Sequence, residues 1–356
     1  MRRILGGVWF LWPLVAACVV VVLAASAYKG WQLTHPPRRY GEGTPASRAS
    51  LDYRCLPLPP GPPTVCSPDV MLETPDHHVR LAAWIVPSYA NIYPSTSGNW
   101  SQDTVVLVPD HGQSRTSGTF PVWPVTLALH DAGFNVVLFD PRGTGQSAGA
   151  AIGFGTVEVN DILTVVQYLQ SLGPPQGHVA LWGLGTGADA AILAAARTRA
   201  VSAVIADSPY VSVQAFLRRA IPGWTGWPAF PFAETILWSM QRETGIAYGQ
   251  YNPLRAVAAL GGPHPRPLLL VAGAADRLTP PADVERLFSA SHDSLALGPL
   301  IVAGAGHLQA FTQSPPSSTD PEYTQYMCSV LITLREMSAP PGATGPVSAG
   351  HCGAAG

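Results

Sequence analysis

Val179-Ala180-Leu181-Trp182-Gly183-Leu184-Gly185-Thr186-Gly187 is the stretch that decides the fold. Val179 to Trp182 is an apolar run of strand length. Three glycines at alternate positions then make a tight turn, and Ala188 to Arg197 is rich in helix formers. A continuous apolar strand feeding a helix through a short turn is one unit of a parallel sheet covered on both faces.

The pattern repeats on both sides of this unit. Upstream, Val79, Leu81, Ala83 and Ile85 alternate as in a half-buried strand, while Thr104–Val108 and Asn135–Phe139 are continuous apolar strands. Val157, Ile162, Val165, Val166 and Leu169 mark a helix. Downstream come strands at Val201–Ala206, Pro267–Val271 and near Leu300–Val302, with helices over Pro281–Ser291 and Glu322–Met337. Strands alternating with helices at this spacing predict an α/β domain with a mostly parallel, doubly wound sheet. The alternation lapses from Asp207 to about Gly262. Trp224, Trp227, Phe230, Phe232, Trp238, Tyr248 and Tyr251 fall there, and the segment reads as a helical cap over the carboxyl ends of the strands, where such sheets bind ligands.

The ends of the chain are of other kinds. Ile4 to Tyr28 carries no charged residue, and roughly 20 apolar residues suffice to span a bilayer as a helix. Arg2 and Arg3 precede it, and Trp9, Trp12, Tyr28 and Trp31 sit where interfacial aromatics belong. Cleavage at Ala25-Ser26-Ala27 is the rival reading, but a signal core is roughly 7–15 residues, so an uncleaved single-pass anchor is expected. The resulting boundaries are 1–29 for a cytoplasmic tip and anchor, 30–69 for a Pro-rich linker, 70–338 for the domain with its cap at about 208–262, and 339–356 for a flexible tail. Cys55, Cys66, Cys328 and Cys352 lie outside the anchor. Their even number places the domain outside the cytoplasm, with Cys55–Cys66 and Cys328–Cys352 the pairings nearest in sequence. Of 356 residues 47% are hydrophobic and the formal charge is −2 with no basic block, which excludes nucleic acid as a partner.

Four further motifs stand at strand ends in chain order: His111-Gly112, Asp140 to Ser147 as D-x-R-G-x-G-x-S, the glycine turn Gly183 to Gly187, and Asp276 with Gly304-Ala305-Gly306-His307. With His35-Pro36-Pro37-Arg38 after the anchor, the chain resembles the α/β-hydrolase superfamily, and within it the membrane-anchored bud-emergence-type proteins. The resemblance covers Val70 to Met337. It implies the α/β-hydrolase fold, no cofactor or metal, and serine-hydrolase chemistry on an ester, thioester or amide. By the same resemblance Asp276 is the orienting acid, His307 the base, and the backbone N–H groups of Gln113 and Thr186 the oxyanion donors.

The nucleophile is what is missing. In G-x-S-x-G the central residue carries the attacking oxygen, and here it is Gly185. Glycine suits the turn, since a residue with a side chain there costs on the order of 1–3 kcal/mol of backbone strain. Thr186 turns into the helix, and Ser114 and Ser147 belong to structural loops, so none replaces the serine. Asp189 reads as a first-turn carboxylate complementing the helix dipole, Asp207 as a strand-end turn residue and runner-up acid, and His77-His78 as a solvated turn. Three functions follow, in order: a degenerate hydrolase binding an acyl-type small molecule, or a protein partner through the cap; a weak hydrolase whose water is activated by His307 and Asp276; and a dinucleotide binder, because Gly183-x-Gly185-x-x-Ala188 with Asp207 roughly 20 residues on fits that fingerprint.

Overall fold

The computed structural model describes residues 11–40, 69–76, 78–88, 103–118, 120–172, 177–261, 264–291, 295–296, 298–318, 320 and 322–338. Its strands are β1 (Asp69–Glu73), β2 (Arg80–Val86), β3 (Thr104–Val108), β4 (Asn135–Phe139), β5 (Val179–Leu184), β6 (Val201–Asp207), β7 (Pro267–Gly273), β8 (Leu295–Ala296) and β9 (Leu300–Val302). The helices are α1 (Leu11–Thr34), α2 (Val122–Asp131), α3 (Glu158–Ser171), α4 (Thr186–Arg197), α5 (Val213–Thr225), α6 (Ala229–Thr244), α7 (Pro253–Ala258), α8 (Pro281–Ala290), α9 (Ala310–Gln313) and α10 (Gln325–Met337).

All nine strands form one sheet in the order β1-β2-β4-β3-β5-β6-β7-β8, with β9 also on β7. Only β2 runs antiparallel to its neighbours β1 and β4; the other pairs are parallel. The apolar runs are double-faced as their composition predicts. Val106 and Val108 enter one core with Leu181, Leu268 and Leu270, while Val105 and Leu107 enter the other with Trp182, Leu269 and Val271.

Strand order reverses around β3. The chain goes from β3 to β4 on one side, then returns to place β5 on the other. The crevice at such a reversal, outside the carboxyl ends of the strands, is where open α/β sheets put their sites. Here it lies between the loop after β3 and the glycine turn after β5.

Between β6 and β7 the aromatic segment folds as α5, α6, a 3-10 turn at Tyr248–Gln250 and α7. Phe216, Ile236, Met240 and Tyr248 make a third core with Ile152 and Phe154. Ser212 and Asn252 cap α5 and α7 by accepting from Ala215 N–H and Arg255 N–H. The closing helix starts at Gln325 and not at Glu322, because Thr324 caps it through Met327 N–H.

The N-terminal helix does not stop at residue 29. It runs unbroken to Thr34 and is long and apolar enough to cross a membrane. Its last two turns pack against α6, and the segment expected as linker begins docked on the domain. Arg38 donates to the carbonyls of Gly145, Ser147 and Gly149, and Ile152 N–H to that of Thr34. Cys328 is disulfide-bonded; Cys55, Cys66 and Cys352, and the tail at 339–356, lie outside the described residues.

Two glycines let α4 press onto the sheet. A Cβ on Gly183 would stand 2.3 Å from the Gly187 carbonyl oxygen, and one on Gly187 would stand 2.4 Å from that of Pro109. Gly183→Val is expected to lower stability by about 1–3 kcal/mol, the range for overpacking. Urea unfolding of the detergent-solubilised protein reads this directly, and an unchanged midpoint would refute the close approach.

Candidate active site

Gly185 holds the turn between β5 and α4 at φ 54, ψ −119, a conformation that side-chain-bearing residues enter only with strain. Its N–H donates to the Asp207 carbonyl at 2.9 Å. The turn therefore has the geometry expected of it, with a residue that reaches these angles freely.

The structure brings Asp276 and His307 together from the loops after β7 and β9. His307 Nδ1 lies 2.9 Å from Asp276 Oδ2. Asp276 is itself fixed: Oδ1 accepts from Leu278 N–H at 2.8 Å and Thr279 N–H at 2.9 Å, and Oδ2 from the Thr279 hydroxyl at 2.6 Å. Burial works against its charge, but the hydrogen bond and charge of His307 and the bonds from Thr279 hold it below the ordinary carboxylate range. The ring thus points Nε2 at the space above Gly185.

That space is filled by Asp110, which sequence reasoning missed. Asp110 Oδ1 accepts the Thr186 N–H at 2.8 Å and lies 3.0 Å from His111 Nδ1. A Cβ built on Gly185 would come within 2.4 Å of the same oxygen. The other oxygen, Oδ2, is 3.9 Å from His307 Nε2, close enough for charge attraction but too long for a hydrogen bond. Nε2 is buried with no hydrogen-bond partner among the described residues. The Gln113 N–H donates to the Asp110 carbonyl at 3.1 Å. Both amides expected to face an oxyanion are therefore occupied, and both by Asp110.

Charges in the cluster reinforce one another. Burial would raise Asp110, yet His111, His307 and the Thr186 amide together hold it well below the usual range. Burial likewise disfavours the imidazolium of His307, but the Asp276 hydrogen bond and the charges of Asp110, Asp276 and Asp207 raise its pKa. Above the cluster, the His111 ring packs on Trp224 from α5 at 4.7 Å and on Phe154 at 5.7 Å. The void beside Asp110, lined also by Thr144, Glu158 and Thr186, is about the size of one water molecule.

The remaining expected residues have structural tasks. Asp189 is not an exposed charge at the helix start: it is fully buried, one oxygen accepts from Tyr210 N–H, and burial pushes its pKa well above the usual range. Asp207 is buried, receives Ser208 and Tyr326 hydroxyls, and is pushed up to about 6 by that burial. Each of its oxygens thus already accepts one hydroxyl. The space beside Gly183 is taken by the Gly187 backbone, so the glycine fingerprint serves helix–sheet packing. Ser147 donates to the Asp140 carbonyl and Ser114 N–H to Ser117, both within loops. His78 pairs with Glu73 at the surface, and His77 lies outside the described residues. Among the described residues no cluster could hold a metal ion.

A mostly parallel sheet with a glycine turn at its reversal point, facing an acid–histidine pair from the last strands, is the α/β-hydrolase fold. Comparisons agree. Residues 101–246 match the family described as serine aminopeptidase, S33. The chain is 25% identical over 234 residues to YfhR of Escherichia coli, covering 65% of this chain and 71% of that one. It is 27% identical over 189 residues to YqkD of Bacillus subtilis, covering 52% and 59%. Esterase Pf2001 of Pyrococcus furiosus superposes with a TM-score of 0.62 at 21% identity, over 86% of this chain and 99% of that one. The α/β hydrolase GrgF from Penicillium gives 0.52 at 18%, over 76% and 99%.

The shifts set the pH dependence of the cluster. A raised histidine stabilises the fold fully below its unfolded pKa, about 6.5, and loses that contribution as pH rises through the folded value. Lowered Asp110 and Asp276 contribute above about 3.9 and lose it as pH falls through their folded values. The cluster is therefore most stabilising from about pH 4 to 6.5. Asp110→Asn should lower the His307 pKa and flatten the alkaline limb of the stability profile; a His307 imidazole NMR titration left unmoved would show the two groups to be uncoupled.

Proposed function

We propose that this chain is a membrane-anchored relative of the serine hydrolases that does not carry out acyl transfer through a serine, and that binds a small acyl-type ligand or a protein through its capped domain. The observation that carries this reading is the Asp110 carboxylate on the Thr186 amide directly above Gly185. Acyl transfer needs a nucleophile, and it needs free donors where negative charge develops. At this turn the nucleophile position is a glycine, and an ionised carboxylate holds the donor. A carbonyl placed there would develop its charge against Asp110. The same carboxylate takes the place of the water that a His307–Asp276 hydrolase would activate. Cys328 in a disulfide supports a domain outside the cytoplasm, since such bonds persist in oxidising compartments.

One feature favours a second reading. Asp110 Oδ2 faces His307 Nε2, and a carboxylate can itself be a nucleophile. Attack of Oδ2 on a saturated carbon would displace a leaving group and form an alkyl ester on Asp110. Water deprotonated by His307 would then cleave that ester at its carbonyl carbon, restoring the carboxylate and releasing the alcohol. A single turnover in 18O water would leave the isotope in Asp110, and mass spectrometry of the Asp110 peptide separates this reading from the first; no incorporation is expected.

The main reading is tested by rebuilding the turn. Gly185→Ser alone should fail to react with a fluorophosphonate probe and should lose stability, because its Cβ meets Asp110. Gly185→Ser with Asp110→Ala frees the space and the Thr186 amide, and should both label and turn over an activated ester. Adding His307→Ala should abolish that turnover. Labelling of the unmodified protein, or ester hydrolysis by it that vanishes with His307→Ala, would overturn the reading.

A further inference from the structure

The anchor helix and the longest helix of the cap are packed in register. Ser26 Oγ lies 2.7 Å from Thr235 Oγ1. A Cβ on Gly30 would stand 2.3 Å from Ser239 Oγ, and that hydroxyl donates to the Ser26 carbonyl. The Thr34 hydroxyl reaches Glu243 at 3.4 Å. Thr235, Ser239 and Glu243 thus stand beside Ser26, Gly30 and Thr34, each pair separated by the same number of residues. A constant offset means that α1 and α6 run parallel, with their N-terminal ends pointing the same way.

The consequence lies at the start of α6. Carrying the register back from Thr235 puts Glu234 beside Ala25 and Pro231 beside Val22. Val21 is 65% exposed and belongs to the apolar span. Phe230, next to Pro231, is the most exposed large apolar side chain described, at 88%. Polar groups mark where water begins. Glu234 is held by Arg218 at 2.6 Å, and the Lys29 ammonium, which donates to Gln32 Oε1 at 3.0 Å, stands over Trp227 at 5.7 Å. A lysine and a tryptophan together are the pairing of a membrane–water interface. From Glu234 back to Pro231 the helix rises about 4.5 Å, and Phe230, whose backbone is non-helical, lies beyond that at the kink that opens α6.

We propose that the tip of the cap, Trp227 to Phe232, is seated in the lipid bilayer surface beside the anchor, so that the cap and the site beneath it are held against the membrane. This rests on the reading of α1 as a membrane anchor. The occupant of the exposed tip is lipid, because the face is continuous with the apolar span of α1 and lies on its membrane-directed end.

The test uses the full chain in phosphatidylcholine vesicles, with Cys18→Ser and a bimane placed without reductant at Phe230→Cys, Val20→Cys or Glu285→Cys. The Cys18→Ser protein is the labelling blank. At position 230 most fluorescence should be lost to nitroxide-bearing lipids and little to aqueous iodide. Position 285, exposed on α8, should show the reverse. Lipid contact at 20 with iodide quenching at 230 would overturn the seated cap and leave the anchor standing. Iodide quenching at 20 as well would overturn both. Gly30→Leu, which forces α1 and α6 apart, should cost position 230 its lipid quenching while position 20 keeps it; unchanged quenching at 230 would refute the registered packing as its cause.

Discussion

The carboxylate of Asp110, bonded to the Thr186 amide at 2.8 Å, is the interaction on which the site depends. It is possible only because the sheet reverses its order at β3, which sets the ends of β3 and β5 side by side, with Val108 opposite Gly183. Glycine at 185 is the second half of the same constraint. Any Cβ there would collide with Asp110, so the residue that reaches the turn's angles freely is also the residue that leaves room for the carboxylate. Backbone strain and side-chain volume both select the same small residue.

Placing that charge in a buried crevice would be unfavourable in isolation, since burial opposes ionisation. It is offset by an alternation of sign: Asp276 holds His307, His307 faces Asp110, and Asp110 takes the partial positive charge of the α4 N-terminus through Thr186. The acid–histidine pair is thereby part of an ion cluster. The raised His307 pKa and the lowered Asp110 pKa are two views of one attraction.

The N-terminal helix belongs to the same physical unit as the domain. Gly30 lets α1 approach α6 until Ser239 touches the Ser26 backbone, and small residues at such a contact permit close helix packing. Arg38 then ties the following segment to the loop of Asp140 to Ser147 through three backbone carbonyls. The position of α1 on the domain is set by this docking and not by a free tether.

Most of the architecture was legible in the chain. The glycine turn and the double-faced runs of β3, β4, β5 and β7 follow from local composition, because strands buried on both faces must be continuously apolar and glycines must stand where the backbone has no room for a side chain; Asp276 and His307 were singled out by the family resemblance. The two-residue β8 and the extension of α1 beyond Lys29 were not legible, since the first carries too few residues for a pattern and the second depends on a partner surface in α6. Asp189 was misjudged for a related reason: its burial is set by packing, which the sequence does not show. Asp110 is the decisive case. In sequence it is a polar residue after a strand, 75 positions from Gly185, with no spacing to connect them. Local chemistry thus determined that this chain takes the α/β-hydrolase fold with a glycine, and so an open position, at the turn after β5. What fills that position was decided by strand order alone, because only the reversal of the sheet at β3 brings the two loops within bonding distance.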